Sequence, residues 1–380
     1  MDMLPFTRPD IDEETIASVA NVLRSGWLTT GPKCRELEEA LSARAGGRPV
    51  RLVSSATAAL EFALRIAGIG PGDEVITTSL SWVATSNVIL AVGAKPVFVD
   101  IDPATRLINL ELVDAAITER TRAIIPVDLA GLPVNRDRLY EIAKRHNLRV
   151  IEDAAQSQGA RWNGRELGSF GDLIAFSFHP NKNMTTGEGG CLVMNDEQEA
   201  RQFEKLRLQG VTRNAEGTYD CDILGGKANL TDIAAAIGLG QIKRLDAFNL
   251  RRRELAQLYF SRFEGLSSLQ LELPLADFEH SNWHMFQVLL PATLASQRGE
   301  IIRLMRETGI ATGVHYPAIH QTSLYKNLGM ANAHLPHTES VASRILTLPL
   351  FPAMQESDID RVVTSLTQVL TQLSNQKTPA

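Results

Sequence analysis

The chain is poor in cysteine. Cys34, Cys191 and Cys221 are its three thiols among 380 residues, and no two of them form a CxxC pair. That spacing excludes a disulfide framework and a zinc ribbon, leaves no metal site to expect, and fits the reducing cytoplasm. There is also no apolar run approaching the roughly 18 residues of a membrane span. Met1 to Pro9 has no basic start followed by an apolar core, so neither a membrane anchor nor export is expected. Charge of one sign is not in excess: 38 Lys and Arg against 44 Asp and Glu give a net charge of -6, which offers no general electrostatic reason to bind nucleic acid or anionic lipid. Short-period repeats and low-complexity tracts are missing, apart from a polar tail, Ser374 to Ala380, expected to fray.

What is present is ordinary globular material, 44% hydrophobic and 22% charged, long enough for two domains around ample cores. From residue 50 onward, short β-branched runs alternate with helical stretches. Arg51 to Val53 precedes Thr57 to Ala67, Glu74 to Thr77 precedes Val83 to Val92, and Pro96 to Val99 precedes Leu110 to Ile117. Ala123 to Val127, Arg136 to His146 and Arg149 to Glu152 continue the alternation. Such βαβ repetition predicts an α/β fold with a mainly parallel sheet buried on both faces. Asp10 to Arg24 reads as an amphipathic helix with Asp10 and Glu13 as a capping box, and Ser25 to Pro32 as a loop. Residues 230 to 265 read as a long helical spine between a large domain, 1–245, and a smaller α/β domain, 246–380. In the latter, strands are expected at Leu269 to Leu273, Met285 to Leu290 and Gly313 to Tyr316, and helices at Glu300 to Glu307 and Ile359 to Leu373.

Two stretches carry chemistry. Ala175-Phe-Ser-Phe-His-Pro-Asn-Lys182 ends a strand with a hydroxyl, an imidazole and a lone amine, then enters the turn Thr185-Thr-Gly-Glu-Gly-Gly190, whose glycines let backbone approach a ligand closely. Alone, such a lysine is usually a solvated residue beside a tight turn. Ile151-Glu-Asp-Ala-Ala-Gln156 ends a buried strand with carboxylates, where open α/β sheets place their ligands. Alone, an acid there is more often structural.

Together with Ser54-Ser-Ala-Thr-Ala-Ala-Leu60, Asn229-Leu-Thr-Asp232 and His315-Tyr-Pro317, the two stretches form five motifs in order. On these the chain resembles, over essentially its whole length, the pyridoxal-phosphate sugar aminotransferases of the DegT/StrS type. The resemblance implies fold-type I architecture, like that of aspartate aminotransferase, and pyridoxal 5'-phosphate as cofactor. It implies that Lys182 holds the cofactor covalently and serves as acid and base, with Asp153 facing the ring nitrogen, Gln156 the ring oxygen and Trp82 the ring face. Ala56, Thr57 and Ser177 would bind the phosphate at a helix N-terminus, and Asn229 would reach the phosphate of a neighbouring subunit, making the sites of a homodimer shared. Trp27, Thr29, Thr30, His179, His315, Tyr316 and His320 match stretches that line the sugar pocket in relatives, although each could equally be a packed or solvent-facing side chain.

Ser25 to Lys33 resembles enzymes that aminate C4 of a nucleotide-linked keto sugar, such as those making 4-amino-4-deoxy-L-arabinose, with an amino acid, L-glutamate, as donor. Two residues depart from the family pattern: Asp128 and Gln209 stand where relatives commonly have His, near the pocket. Rival readings are an aminotransferase for a free ketone such as an inosose, a dehydratase of the same fold, and a cofactor-binding regulator without turnover. The dehydratases replace the lysine, which Lys182 opposes, and the chain has no extra DNA-binding segment for a regulator.

Overall fold

The computed structural model describes residues 2–213 and 215–375. Two helices, α1 (Glu13–Ser25) and α2 (Pro32–Arg44), lead into an alternating core: β1 (Val50–Val53), α3 (Ala56–Ile66), β2 (Glu74–Thr78), α4 (Ala84–Ala91), β3 (Lys95–Val99), α5 (Leu110–Ala116), β4 (Thr121–Ile125), α6 (Arg136–Arg145) and β5 (Arg149–Asp153). A short hairpin, β6 (Arg161–Trp162) and β7 (Arg165–Glu166), precedes β8 (Leu173–Ser177), β9 (Gly190–Val193) and α7 (Glu197–Arg207). A second hairpin, β10 (Val211–Arg213) and β11 (Tyr219–Cys221), leads to the long α8 (Asp232–Phe263). The remainder comprises β12 (Phe286–Leu289), α9 (Arg298–Glu307), α10 (Ser323–Asn327), α11 (Pro336–Arg344), β13 (Ile345–Leu348) and α12 (Glu356–Asn375).

The main sheet has seven strands in the order β1-β9-β8-β5-β4-β2-β3. Strands β3, β2, β4, β5 and β8 pair in parallel, as the βαβ alternation predicts, and β2 and β8 are buried at every position. Strand β9 runs antiparallel to both β8 and β1. The reason is the connection: the segment from β8 to β9 is a loop that folds back on itself, with the Phe178 amide on the Gly189 carbonyl at 2.9 Å and the Thr186 amide on the Phe178 carbonyl at 3.0 Å. A parallel neighbour would need a crossover.

Helix α1 begins later than the expected capping box. Asp12 is its N-cap, accepting from the Thr15 amide at 2.9 Å, while the Asp10 carboxylate pairs with Arg244 of α8 at 2.9 Å. Helix α8 crosses the expected boundary at 245/246 unbroken. Its first half, through Leu245, packs with the sheet cluster of Leu37, Leu52 and Phe176, and its second half, from Leu255, joins a separate core with Phe286, Leu348 and Leu366. Leu4 also packs in that second core and bridges to Ile310, so the start of the chain belongs with its end.

In the C-terminal part, β12 and β13 form an antiparallel pair. The other two expected strands shrink to single bridges, Glu272 with Leu289 and Gly313 with Thr347. Gln270 at φ 52° breaks the first. Helix α12 runs through Asn375, so the polar tail starts inside a helix and its residues 376–380 lie outside the described residues. Among the described residues no helix is long and apolar enough to cross a membrane.

Candidate active site

The C-terminal ends of the parallel strands open on a cavity of about 390 Å³, the place where open α/β sheets bind ligands. Strand β5 delivers Asp153 to it, and the turn behind supplies Gln156, whose Oε1 accepts from the Ala130 amide at 2.8 Å. Strand β8 ends with Ser177, and Pro180, which has no N–H to extend a ladder, turns the chain toward Lys182. The Lys182 amide bonds the His179 carbonyl at 2.9 Å. Beside it Asn183 is locked by Asn249 Oδ1 at 2.7 Å, the Asn282 carbonyl at 3.1 Å and the His284 ring at 3.0 Å, which fixes the loop that carries the amine.

The remaining walls are contributed from far along the chain. The N-terminus of α3 brings Ala56 and Thr57 into the lining. Ser55 caps that helix with its hydroxyl on the Ala58 amide at 3.2 Å. Trp82 is 60% exposed and shares a wall with Tyr316, ring centroids 5.9 Å apart. His179 lines the rim with its Nδ1 2.8 Å from Asn181 Oδ1, and His315 lines the cavity with its Nδ1 2.9 Å from Thr347 Oγ1.

Burial of this cluster shapes its charges. Lys182 is half-buried, and the loss of water lowers its pKa to about 8, with the Asp153 charge pulling weakly the other way. Burial pushes the Asp153 carboxyl up, opposed by hydrogen bonds from Thr85 and the Ala155 amide and by the Lys182 charge. His315 is lowered to about 4 by burial and then by Lys182, so it is neutral at physiological pH. The Tyr316 hydroxyl is raised by burial and then by Asp153. The arrangement places an amine that sheds its proton easily beside a buried carboxylate.

Five residues expected at the site lie outside the cavity lining. His320 is fully buried, its Nδ1 2.7 Å from Ser79 Oγ and its Nε2 3.2 Å from Glu339 Oε1. It is a packed link between two segments rather than a pocket residue. Trp27 is 57% exposed, its Nε1 donating to the Thr30 carbonyl at 3.2 Å. The Thr29 carbonyl accepts from the Asp232 amide at 3.1 Å. Asn229 donates to Thr30 Oγ1 at 2.7 Å and accepts from Lys227. The two departures from the family pattern are also absent from the lining. Asp128 is buried on Arg136, at 2.7 Å, and Ser157, at 2.7 Å, and Gln209 is exposed in a tight turn at φ 63°. Conversely, Ser81, Asn181 and Glu188 line the cavity beyond the residues expected there. Asn181 and Glu188 lie within the quoted lysine motif, whereas Ser81 carried no signal beyond adjoining Trp82.

The sequence pattern of the DegT/DnrJ/EryC1/StrS aminotransferase family matches residues 9–367. The chain belongs to that family. Solved structures agree. Spr1654 of Streptococcus pneumoniae, described as a sugar aminotransferase, superposes in its apo form with a TM-score of 0.93 at 35% identity, covering 99% of this chain and 100% of that one. DesV of S. venezuelae, in complex with ketimine intermediate, gives 0.89 at 34% identity over 97% and 99%. Helicobacter pylori PseC, an aminotransferase involved in the biosynthesis of pseudoaminic acid, gives 0.90 at 28% over 98% and 100%. The protein is thus a pyridoxal-phosphate-dependent aminotransferase of fold type I, within the sugar aminotransferase family.

The residues present fit that cofactor. Among the described residues the Ala56 and Thr57 amides donate to no protein group, and the Thr57 and Ser177 hydroxyls lie on the same lining. This is the donor set of a phosphate site at a helix N-terminus. Gly190 keeps the cradle tight: a Cβ there would stand 2.6 Å from the Ala56 nitrogen and 2.7 Å from the Phe176 carbonyl oxygen.

Proposed function

We propose that this aminotransferase moves an amino group from an amino acid, L-glutamate, to C4 of a nucleotide-linked keto sugar, and that it works in the cytoplasm as a homodimer with shared sites. The observation that carries the reading is the meeting, in one cavity, of a lysine with a pKa of about 8, a buried carboxylate and the open N-terminus of α3.

Pyridoxal 5'-phosphate, when bound, supplies an electron sink for the electrons released at the carbon that loses its proton. Lys182 would hold it, and its amine, uncharged in about a tenth of molecules at about pH 7, is suited to taking a proton from the donor's Cα and returning one to the acceptor carbon. Asp153 would keep a proton at the ring nitrogen by its negative charge. Gln156 would orient the ring oxygen and Trp82 would cover the ring face. Ala56, Thr57 and Ser177 would hold the phosphate. His315, uncharged at neutral pH, leaves Lys182 free of a competing cation.

A large polar acceptor suits the mouth. Trp82 offers an exposed aromatic face, and His179, Asn181 and Glu188 offer polar groups at the rim. Asn229 is absent from the lining of its own cavity and is held in one assembly with Thr30 and Lys227, which favours service to a second copy together with Trp27 and Thr29. The test is a panel of nucleotide-linked keto sugars and free ketones, incubated with isotopically labelled glutamate and read by mass spectrometry. Label should enter a nucleotide-linked amino sugar. Label entering free ketones alone would replace the acceptor class.

A further inference from the structure

Asp153 is held by more than its strand. Its amide donates to the Pro126 carbonyl at 3.0 Å and its carbonyl accepts from the Asp128 amide at 3.2 Å, so only the side-chain torsions remain to be set. Thr85 Oγ1 lies 2.6 Å from Oδ2 of the carboxylate, and the Ala155 amide lies 3.3 Å from Oδ1. Thr85 is fully buried in the first turn of α4. A threonine in a helix commonly turns its hydroxyl to nearby backbone, yet this one meets only Asp153 and, at 2.7 Å, the hydroxyl of Ser81. An ionised carboxylate can only accept. With Asp153 ionised, the Thr85 hydrogen is committed to Asp153 and the Thr85 oxygen accepts from Ser81, which lines the cavity. The chain has one direction, Ser81 to Thr85 to Asp153, and each link polarises the next.

We propose that Thr85 is a positioning residue for amino transfer, aiming the Asp153 carboxylate and keeping it ionised, with Ser81 reinforcing Thr85. The proposal rests on the reading of Asp153 as the group that faces the cofactor ring nitrogen.

The groups around Asp153 set what loss of the hydroxyl would do. Burial and the charge of Asp128, from the segment after β4, favour the protonated carboxyl. Thr85 from α4, the Ala155 amide and Lys182 from the loop after β8 oppose them. Tyr316 also faces Asp153, its own hydroxyl being raised by burial and then by that charge. Without Thr85 the balance moves toward protonation, so Asp153 would lose its charge at a higher pH.

The experiment compares Thr85→Val, Thr85→Ser, Ser81→Ala and Asp153→Asn. It measures kcat and KM on the holoenzyme, and the pH dependence of cofactor Kd on protein stripped of cofactor. A hydrogen bond to a charged group is large enough for Thr85→Val to lower kcat by about 10- to 100-fold. The acceptor KM should be unchanged, and cofactor binding should weaken from a higher pH than in the parent. Thr85→Ser should recover both. Ser81→Ala should shift the binding profile the same way by less, and it serves as the test if Thr85→Val does not fold. A parental binding profile in Thr85→Val, or in Ser81→Ala if it must stand alone, overturns the proposal. So does a Thr85→Ser variant that fails as Thr85→Val does. Asp153→Asn separates the two levels: near-normal turnover there removes the reading of Asp153 itself, whereas a crippled Asp153→Asn beside a normal Thr85→Val removes only the role of Thr85.

Discussion

The nucleophilicity of Lys182 can be measured without any substrate. Burial lowers its pKa from 10.5 to about 8. At about pH 7 the uncharged fraction is then about 1 in 11, against about 1 in 3,000 for an unperturbed lysine, an advantage of about 300-fold in the reactive form. Trace labelling of the cofactor-free protein with an acylating reagent across a pH series, followed by peptide mass spectrometry, gives the midpoint for Lys182 directly. It should fall near 8. Replacing Asp153 by Asn removes the one charge that pulls this pKa upward, so the midpoint should move lower still and the labelling rate at neutral pH should rise. The same substitution should cripple transamination, because a neutral amide cannot hold a proton at the ring nitrogen. One change thus makes Lys182 more reactive to a probe and the enzyme less active. A midpoint near 10.5, or an upward shift in Asp153→Asn, would refute the electrostatic argument.

Linkage gives a second test. The folded Lys182 pKa lies below the unfolded one, so between about pH 8 and about pH 10.5 the unfolded chain holds a proton that the folded one has released, and the cofactor-free fold gains stability with rising pH. Lys182→Met should therefore stabilise the cofactor-free protein below about pH 8, with an advantage that fades through that window in chemical denaturation. Gly190→Ala should weaken cofactor binding, read by fluorescence titration, since its Cβ would crowd the Ala56 nitrogen; unchanged affinity would mean that the α3 N-terminus does not hold the phosphate. Mixing Asn229→Ala with Lys182→Ala protein should restore activity on verified subunit exchange, because one site of each heterodimer carries neither defect. No recovery would mean that Asn229 serves its own chain.

The legible parts of the molecule were those with a local cause. Strands such as Glu74–Thr78 and Leu173–Ser177 are continuous apolar or β-branched runs buried on both faces, and that composition is visible without coordinates. The direction of β9 was not, because it depends on how the Lys182 loop closes on Phe178 and Gly189. The lysine and aspartate of the site were marked by their places at strand ends. Thr85 was unmarked, since its value comes from a partner 68 positions away. His320 lies off the lining for the same kind of reason: a histidine near a motif reads as a ligand, whereas Ser79, 241 positions away, holds this ring. Asp128 reads in sequence as an altered pocket residue, and its carboxylate is held by the buried Arg136 at 2.7 Å while its charge still acts on Asp153.

Lys182 is the residue expected to carry the cofactor, and its attachment can be read directly. Borohydride reduction of the holoprotein would convert the lysine–cofactor bond into a stable amine, and digestion with mass spectrometry would locate it. The cofactor's mass should appear on the peptide containing Lys182 and on no other, and should disappear in Lys182→Ala protein that keeps its fold. A reduced adduct on a different lysine, or an active enzyme with none on Lys182, would contradict it.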